Sequence, residues 1–184
     1  MARSPRDDMR QAGLHLARTR KAIPLAGRLV SGLEQGTLSA AAALLAWLPT
    51  QALGLREGFW AAITAAAVAQ TELNAARSTA RDQFAGAAIG GLVAALVSLA
   101  SGTGAVSFAI AVVIAMTGCW LLNVATAARL SGITAVIIFL VPHQGSALAM
   151  MLSRAGEVGW GVLMAIATVW LAAQLHRLFG DRDR

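Results

Sequence analysis

A single cysteine, Cys119, stands among 184 residues. No intramolecular disulfide can form, and a metal cluster is not expected. Charge is scarce as well: 13% of residues are charged against 57% hydrophobic, and the mean hydropathy is +0.64. Too few polar side chains remain to clothe a soluble globule of this length, so part of the solvent must be lipid. The three histidines, His15, His143 and His176, fall in different regions, and no HExxH, GxSxG or phosphate-cradling glycine loop occurs. Together these absences argue against an enzyme and against a bound metal or cofactor; His143, just after Pro142, reads as a solvated loop histidine. The sequence pI near 11.4 does not point to nucleic acid. The basic residues sit between apolar segments instead of sharing one face with aromatics.

What the chain does have is apolar stretches, at about 37–54, 59–75, 83–100, 104–123, 126–142 and 156–175. A bilayer core about 30 Å thick takes about 20 apolar residues per helix, so six spans fit only with brief loops and leave no room for a second domain. Polar residues dilute the second stretch at Gln70 and the fifth at Ser131 and Gly132. With 18 glycines and long runs of Ala, Leu, Val and Ile, the helices are expected to pack through small side chains. The expected fold is an all-α integral membrane protein, a bundle of about six transmembrane helices with the lipid bilayer as its first partner. Its divisions are a basic cytoplasmic segment at 1–34, a six-helix module at 35–176 and a cytoplasmic tail at 177–184.

Residues 1–33 mix Arg10, Arg18, Arg20, Lys21 and Arg28 with Leu14, Leu16, Ile23, Leu25, Leu29 and Leu33. This is the composition of an amphipathic helix on an anionic membrane surface, with a frayed tail as the plainer alternative. No cleavable signal peptide is evident, because the first apolar run begins only near Thr37. Short turns such as Gly54–Gly58 and Ser101-Gly102-Thr103-Gly104 imply antiparallel neighbours. Thirteen of the 15 Lys and Arg residues then fall on one side of the membrane, leaving only Arg56 and Arg154 on the other. That asymmetry places both termini in the cytoplasm of an inner (plasma) membrane protein.

Gln70, Asn74, Arg77 and Arg81 follow one another at intervals of four, three and four residues. On a continuous helix they form a narrow stripe running from the cytoplasmic surface into the bilayer. Polar groups at such depth must face protein or water, which reads as a permeation path; anchoring at headgroups explains the two arginines equally well. Asn123, Thr126 and Arg129 form a second polar set between the fourth and fifth spans. Arginine holds carboxylates through a planar fork of donors, so Arg77, Arg81 and Arg129 are candidate stations for an organic acid. Arg154 and Glu157, three apart at the start of the sixth span, fit a structural ion pair better than a gate. Gly86 and Gly90 make a GxxxG motif that either packs internally or dimerises, and Gly156, Gly159 and Gly161 thin the sixth helix.

Several of these segments share a pattern: Phe59-Trp60-Ala61-Ala62-Ile63-Thr64, then Gln70-Thr71-Glu72, then Ala80-Arg81-Asp82-Gln83-Phe84-Ala85-Gly86-Ala87-Ala88-Ile89-Gly90-Gly91. Arg129–Thr134 and Arg154–Gly161 extend it. Over roughly residues 37–175 the chain resembles the fusaric acid resistance family, which includes the aromatic acid exporters. It departs at Gln83, where an arginine is usual, and at Ala87, where a threonine is usual. The resemblance implies a single six-helix transmembrane module and efflux of aromatic or other organic acid anions. Larger members carry two modules, so self-association is expected, along with a periplasmic adaptor as a further partner. An inner-membrane permease is therefore the leading expectation. A non-transporting scaffold or assembly subunit and an anion channel are the alternatives.

Overall fold

A computed structural model describes residues 24–55, 57–141 and 147–180. Two compact units are distinguished, Met1–Gly36 and Thr37–Arg184. Of the first unit only residues 24–36 are described, as the opening turns of a helix, so Arg10, Arg18, Arg20, Lys21 and the apolar residues interleaved with them lie outside the described residues. His15, Arg56 and His143 lie outside them too.

The described residues form six α-helices, as the sequence leads one to expect: α1 (Leu25–Ala52), α2 (Phe59–Val68), α3 (Leu73–Ser101), α4 (Ala105–Leu121), α5 (Ala128–Leu140) and α6 (Ala147–Gly180). The protein is an all-α membrane protein. Three of these helices, α1, α3 and α6, are long and apolar enough to cross a membrane. The others are shorter than the sequence reading assumed. At 1.5 Å per residue the ten residues of α2 reach only ~15 Å, half a bilayer core. The polar run Gln70-Thr71-Glu72 ends α2: Ala69 turns extended at ψ 117° and Glu72 opens α3, also extended. Conversely, α6 starts nine residues before the predicted span, since Leu148, Met150, Met151 and Leu152 continue its apolar character.

Turn chemistry divides the helices where it was expected. Gly102 ends α3 with φ +74°, a conformation that costs glycine nothing. Ser107 Oγ donates to Ser101 O at 3.0 Å and so closes this turn onto α4. Between α4 and α5 the chain reverses through Asn123, at φ +60°, and a 3-10 turn at Ala125–Ala127.

The interior is built of small residues. Ala42 and Ala46 of α1, Ala61, Ala65 and Val68 of α2, Ala76 and Ala80 of α3, and Ala165 and Val169 of α6 share one buried cluster. A second joins Ala94 of α3, Ala115 of α4, Ala135, Ile137 and Ile138 of α5, and Met150 of α6. Gly91 of α3 lies against Met151 of α6, while Ala76 and Ala80 meet the cluster of Ala165 and Val169. Thus α3 and α6 run antiparallel; α2 follows α6 from Arg154 to Val169, and α5 follows α3 from Gly86 to Ala94. The outside is apolar: Leu44, Leu48, Ile63, Leu92, Leu96, Val113 and Leu163 are each about half exposed or more. Such a surface suits lipid.

Backbones approach most closely at glycine. A Cβ on Gly90 would collide with the carbonyl oxygen of Ser131, and one on Gly86 would lie 2.6 Å from Leu130 Cβ. Both glycines of the GxxxG motif therefore serve the contact between α3 and α5, which leaves neither free for a dimer face. On α6, a Cβ at Gly161 would lie 2.5 Å from Ala61 O, whereas Gly156 and Gly159 have nothing within 4 Å. Gly90→Ala and Gly161→Ala should each cost about 1–3 kcal/mol through forced separation of helices. Gly159→Ala should be neutral or slightly stabilising by helix propensity. Thermal unfolding in detergent, followed by circular dichroism, checks the contrast; equal melting of all three variants would contradict the packing described.

Candidate functional site

The residues singled out for anion contact fall on several elements. Gln70 lies in the break between α2 and α3, half-buried, and not on the helix that carries Asn74, Arg77 and Arg81. The stripe expected on one continuous helix is thus divided. Asn74, Arg77 and Arg81 are exposed and share one face of α3. That face continues through Phe84, Leu92 and Leu96, all more than half exposed. It leads along the outer surface. Asn123 is exposed, and its left-handed backbone is one that asparagine tolerates better than most residues. Arg129 is exposed in the first turn of α5. One bond links the two sets: Thr126 Oγ1, before α5, donates to Asp82 Oδ1 of α3 at 2.8 Å. Arg81 and Arg129 therefore sit beside the two partners of a single hydrogen bond.

A second constellation is more enclosed. Arg154, the second-turn residue of α6, is only 5% exposed. Its Nη1 donates to Glu157 Oε2 at 2.7 Å, and its guanidinium lies 4.4 Å from the centre of the Trp60 ring, a cation–π arrangement. Ser153 Oγ donates to Glu157 Oε1 at 2.9 Å. Arg154 Nε and Trp60 Nε1 are buried without an acceptor. Arg154 thus lies within α6 and not in the connection before it.

Beside this pair opens a cleft of about 530 Å³ between the end of α1, the start of α2 and α6. Its walls are chiefly apolar, including Pro49, Leu53, Leu152 and Trp160, with Glu57, Ser153 and Glu157 supplying most of the polarity. Trp160 Nε1 donates to Ala46 O at 2.9 Å and so fastens α6 to α1 just before Pro49. None of Gln70, Asn74, Arg77, Arg81, Asn123 and Arg129 lines this cleft.

Sequence reasoning passed over Glu57 and treated Trp60 only as part of a pattern. A usable signal was present: Arg154 and Glu157 are the only Asp, Glu, Lys or Arg residues between residues 130 and 176, and ionisable groups inside a membrane helix mark functional positions by default. Placing the start of the last span at residue 156 moved the pair to a helix end and hid that signal.

Arg154→Met leaves Glu157 half-buried without its cation and should destabilise the protein by about 3–5 kcal/mol, whereas removing both charges together should cost much less. A double-mutant cycle on thermal stability measures the coupling, and additive single-variant costs would show that the two side chains act independently.

The family model for fusaric acid resistance protein-like sequences matches residues 42–168. The match runs from within α1 to within α6 and takes in both constellations. No curated protein and no solved structure matches the chain. With its all-helical apolar build and a match over well more than half its length, the chain belongs to the fusaric acid resistance protein-like family of membrane transporters.

Proposed function

We propose that the chain is the membrane module of an inner-membrane permease that exports organic acid anions, aromatic acids foremost. Membership in a family with an efflux role supports transport. The observation that carries the choice of an anion is the bond from Thr126 to Asp82, which draws together the parts of α3 and α5 that bear Arg81 and Arg129. Arg77 lies one turn from Arg81 on the same exposed face. Arg129 lies in the first turn of α5, so the N-terminal dipole of that helix adds to the favourable field for a carboxylate. In this reading the three arginines collect the anion at the cytoplasmic mouth, and Gln70, Asn74 and Asn123 offer neutral hydrogen bonds. Both termini lie in the cytoplasm. A second copy of the chain supplies the second module through a face other than Gly86 and Gly90, which α5 covers, and a periplasmic adaptor receives the product.

A non-transporting scaffold is the second reading. It is favoured by the apolar continuation of the arginine face through Phe84 and Leu92, which suits anchoring at headgroups.

Arg77→Gln, Arg81→Gln and Arg129→Gln should each lower efflux of an aromatic acid from loaded cells by roughly two- to fivefold, the worth of one exposed charge pair. Lysine at these positions should restore only part, since an ammonium lacks the planar fork. Unchanged efflux in all three variants, at normal membrane abundance, would favour the scaffold. For topology, alkaline phosphatase fused after Arg184 should be inactive and fused near Thr103 active; the reverse pattern would overturn the orientation.

A further inference from the structure

The cleft beside α6 has a volume of about 530 Å³, within the range of ~300–1,000 Å³ typical of small-molecule sites. Among the described residues that line it, every side-chain donor is already spent inside the protein. Thr50 Oγ1 donates to Trp47 O at 2.6 Å, Ser153 Oγ to Glu157 Oε1 at 2.9 Å and Trp160 Nε1 to Ala46 O at 2.9 Å. The backbone N–H groups of Leu53, Leu55 and Gly58 are used as well, on Pro49 O, Thr50 O and Leu55 O. What the wall keeps is acceptor capacity, since the two hydroxyl oxygens retain lone pairs and an ionised carboxylate only accepts.

The two carboxylates of the lining are not equivalent. Glu157 is held at 2.7 Å by Arg154, which stands behind it and outside the lining, so its charge is matched. Glu57 faces the cleft, and among the described residues no side chain donates to it or pairs with it. One unmatched negative charge therefore meets an apolar cavity of ligand size. An anion would find carboxylates there and no free side-chain donor, and a neutral guest would leave the charge of Glu57 unmatched.

We propose that the cleft binds a monovalent organic cation, a protonated primary amine on a bulky apolar body, with Glu57 as its counter-ion. The ammonium group carries three donors and no acceptor, the complement of this wall. It donates to Glu57 and to a lone pair left on Ser153 or Thr50, while the apolar body lies against Leu53, Leu152 and Trp160. The pair of Arg154 and Glu157 stays as it is. This ligand is opposite in charge to the one assigned to Arg77, Arg81 and Arg129, and the site stands whether or not those arginines collect an anion.

An apolar cleft attracts hydrophobic molecules of any charge, so the probes must differ in charge alone. The purified full-length protein in neutral phosphatidylcholine nanodiscs is titrated by calorimetry with 2-naphthylmethylammonium, 2-naphthylmethanol and 2-naphthoate, with empty nanodiscs as the blank. The ammonium should bind more tightly than the alcohol by roughly tenfold, the scale of one hydrogen bond to a charged group, and the naphthoate more weakly than either. Glu57→Gln should remove that roughly tenfold advantage and leave the alcohol unchanged. A side chain added at Gly156, which lines the cleft, meets nothing within 4 Å. Gly156→Leu should therefore fold, fill part of the cavity and weaken both ammonium and alcohol. Thermal melting verifies that the variants are folded; if Glu57→Gln is not, the order of the three probes on the wild type and the effect of Gly156→Leu decide. Naphthoate or alcohol bound as tightly as the ammonium, no ammonium binding beyond the blank, or ammonium affinity unchanged in folded Glu57→Gln or Gly156→Leu overturns the site.

Discussion

Close approach of helix backbones is the constraint on which this structure depends. In lipid there is little hydrophobic gain from burying one apolar side chain against another, so association rests on dispersion and on how near the backbones come. The chain meets this requirement with missing side chains. Gly90 lets α3 reach the carbonyl of Ser131, and Gly161 lets α6 reach that of Ala61. The alanines of the two large clusters continue these contacts. The larger apolar side chains, such as Leu92, Leu96, Val113 and Leu163, are turned outward. The usual order of a soluble protein, with bulky residues inside and small ones anywhere, is reversed because the solvent outside is itself apolar.

The architecture was legible to the extent that composition and period carry it. Six helices follow from six apolar runs, and Gly102 marks the turn between α3 and α4 through a backbone angle that its lack of a Cβ permits. Helix ends were less legible. Apolar runs do not register that Gln70-Thr71-Glu72 is enough to end α2 at Val68, or that Leu148 to Leu152 is apolar enough to carry α6 back toward Ala147. The polar residues suffered most from this uncertainty. Spacing placed Asn74, Arg77 and Arg81 on one face correctly, because that depends only on local helix geometry. The partnership of Trp60 with Arg154 brings together residues 94 positions apart in sequence, and no periodic pattern encodes it.

The two arginine sets illustrate how one residue type serves opposite environments. Arg77, Arg81 and Arg129 stand in the open, where solvent reaches the charge and a pairing adds little. Arg154 has given up that solvation, and its neighbours replace it with one carboxylate and one aromatic face. Removing water makes each remaining partner count for more, since the local dielectric is low. The same chemistry that is nearly neutral at the surface therefore becomes the strongest electrostatic feature of the interior.

The manner in which α3 and α6 meet has a mechanical consequence. Each is keyed to a different hairpin through a glycine that touches backbone: α3 to α5 at Gly90, and α6 to α2 at Gly161. Backbone against backbone cannot yield without separating the helices. Where α3 meets α6, at Gly91, the neighbour is the side chain of Met151, an unbranched thioether that changes rotamer at small cost. α3 and α6 thus meet through small buried side chains where Ala76 and Ala80 share a cluster with Ala165 and Val169, and through a compliant side chain at Gly91. At Gly91 an added methyl would meet a side chain that can turn aside, whereas at Gly90 and Gly161 it would meet backbone that cannot, so these three buried glycines differ in how much change they forgive.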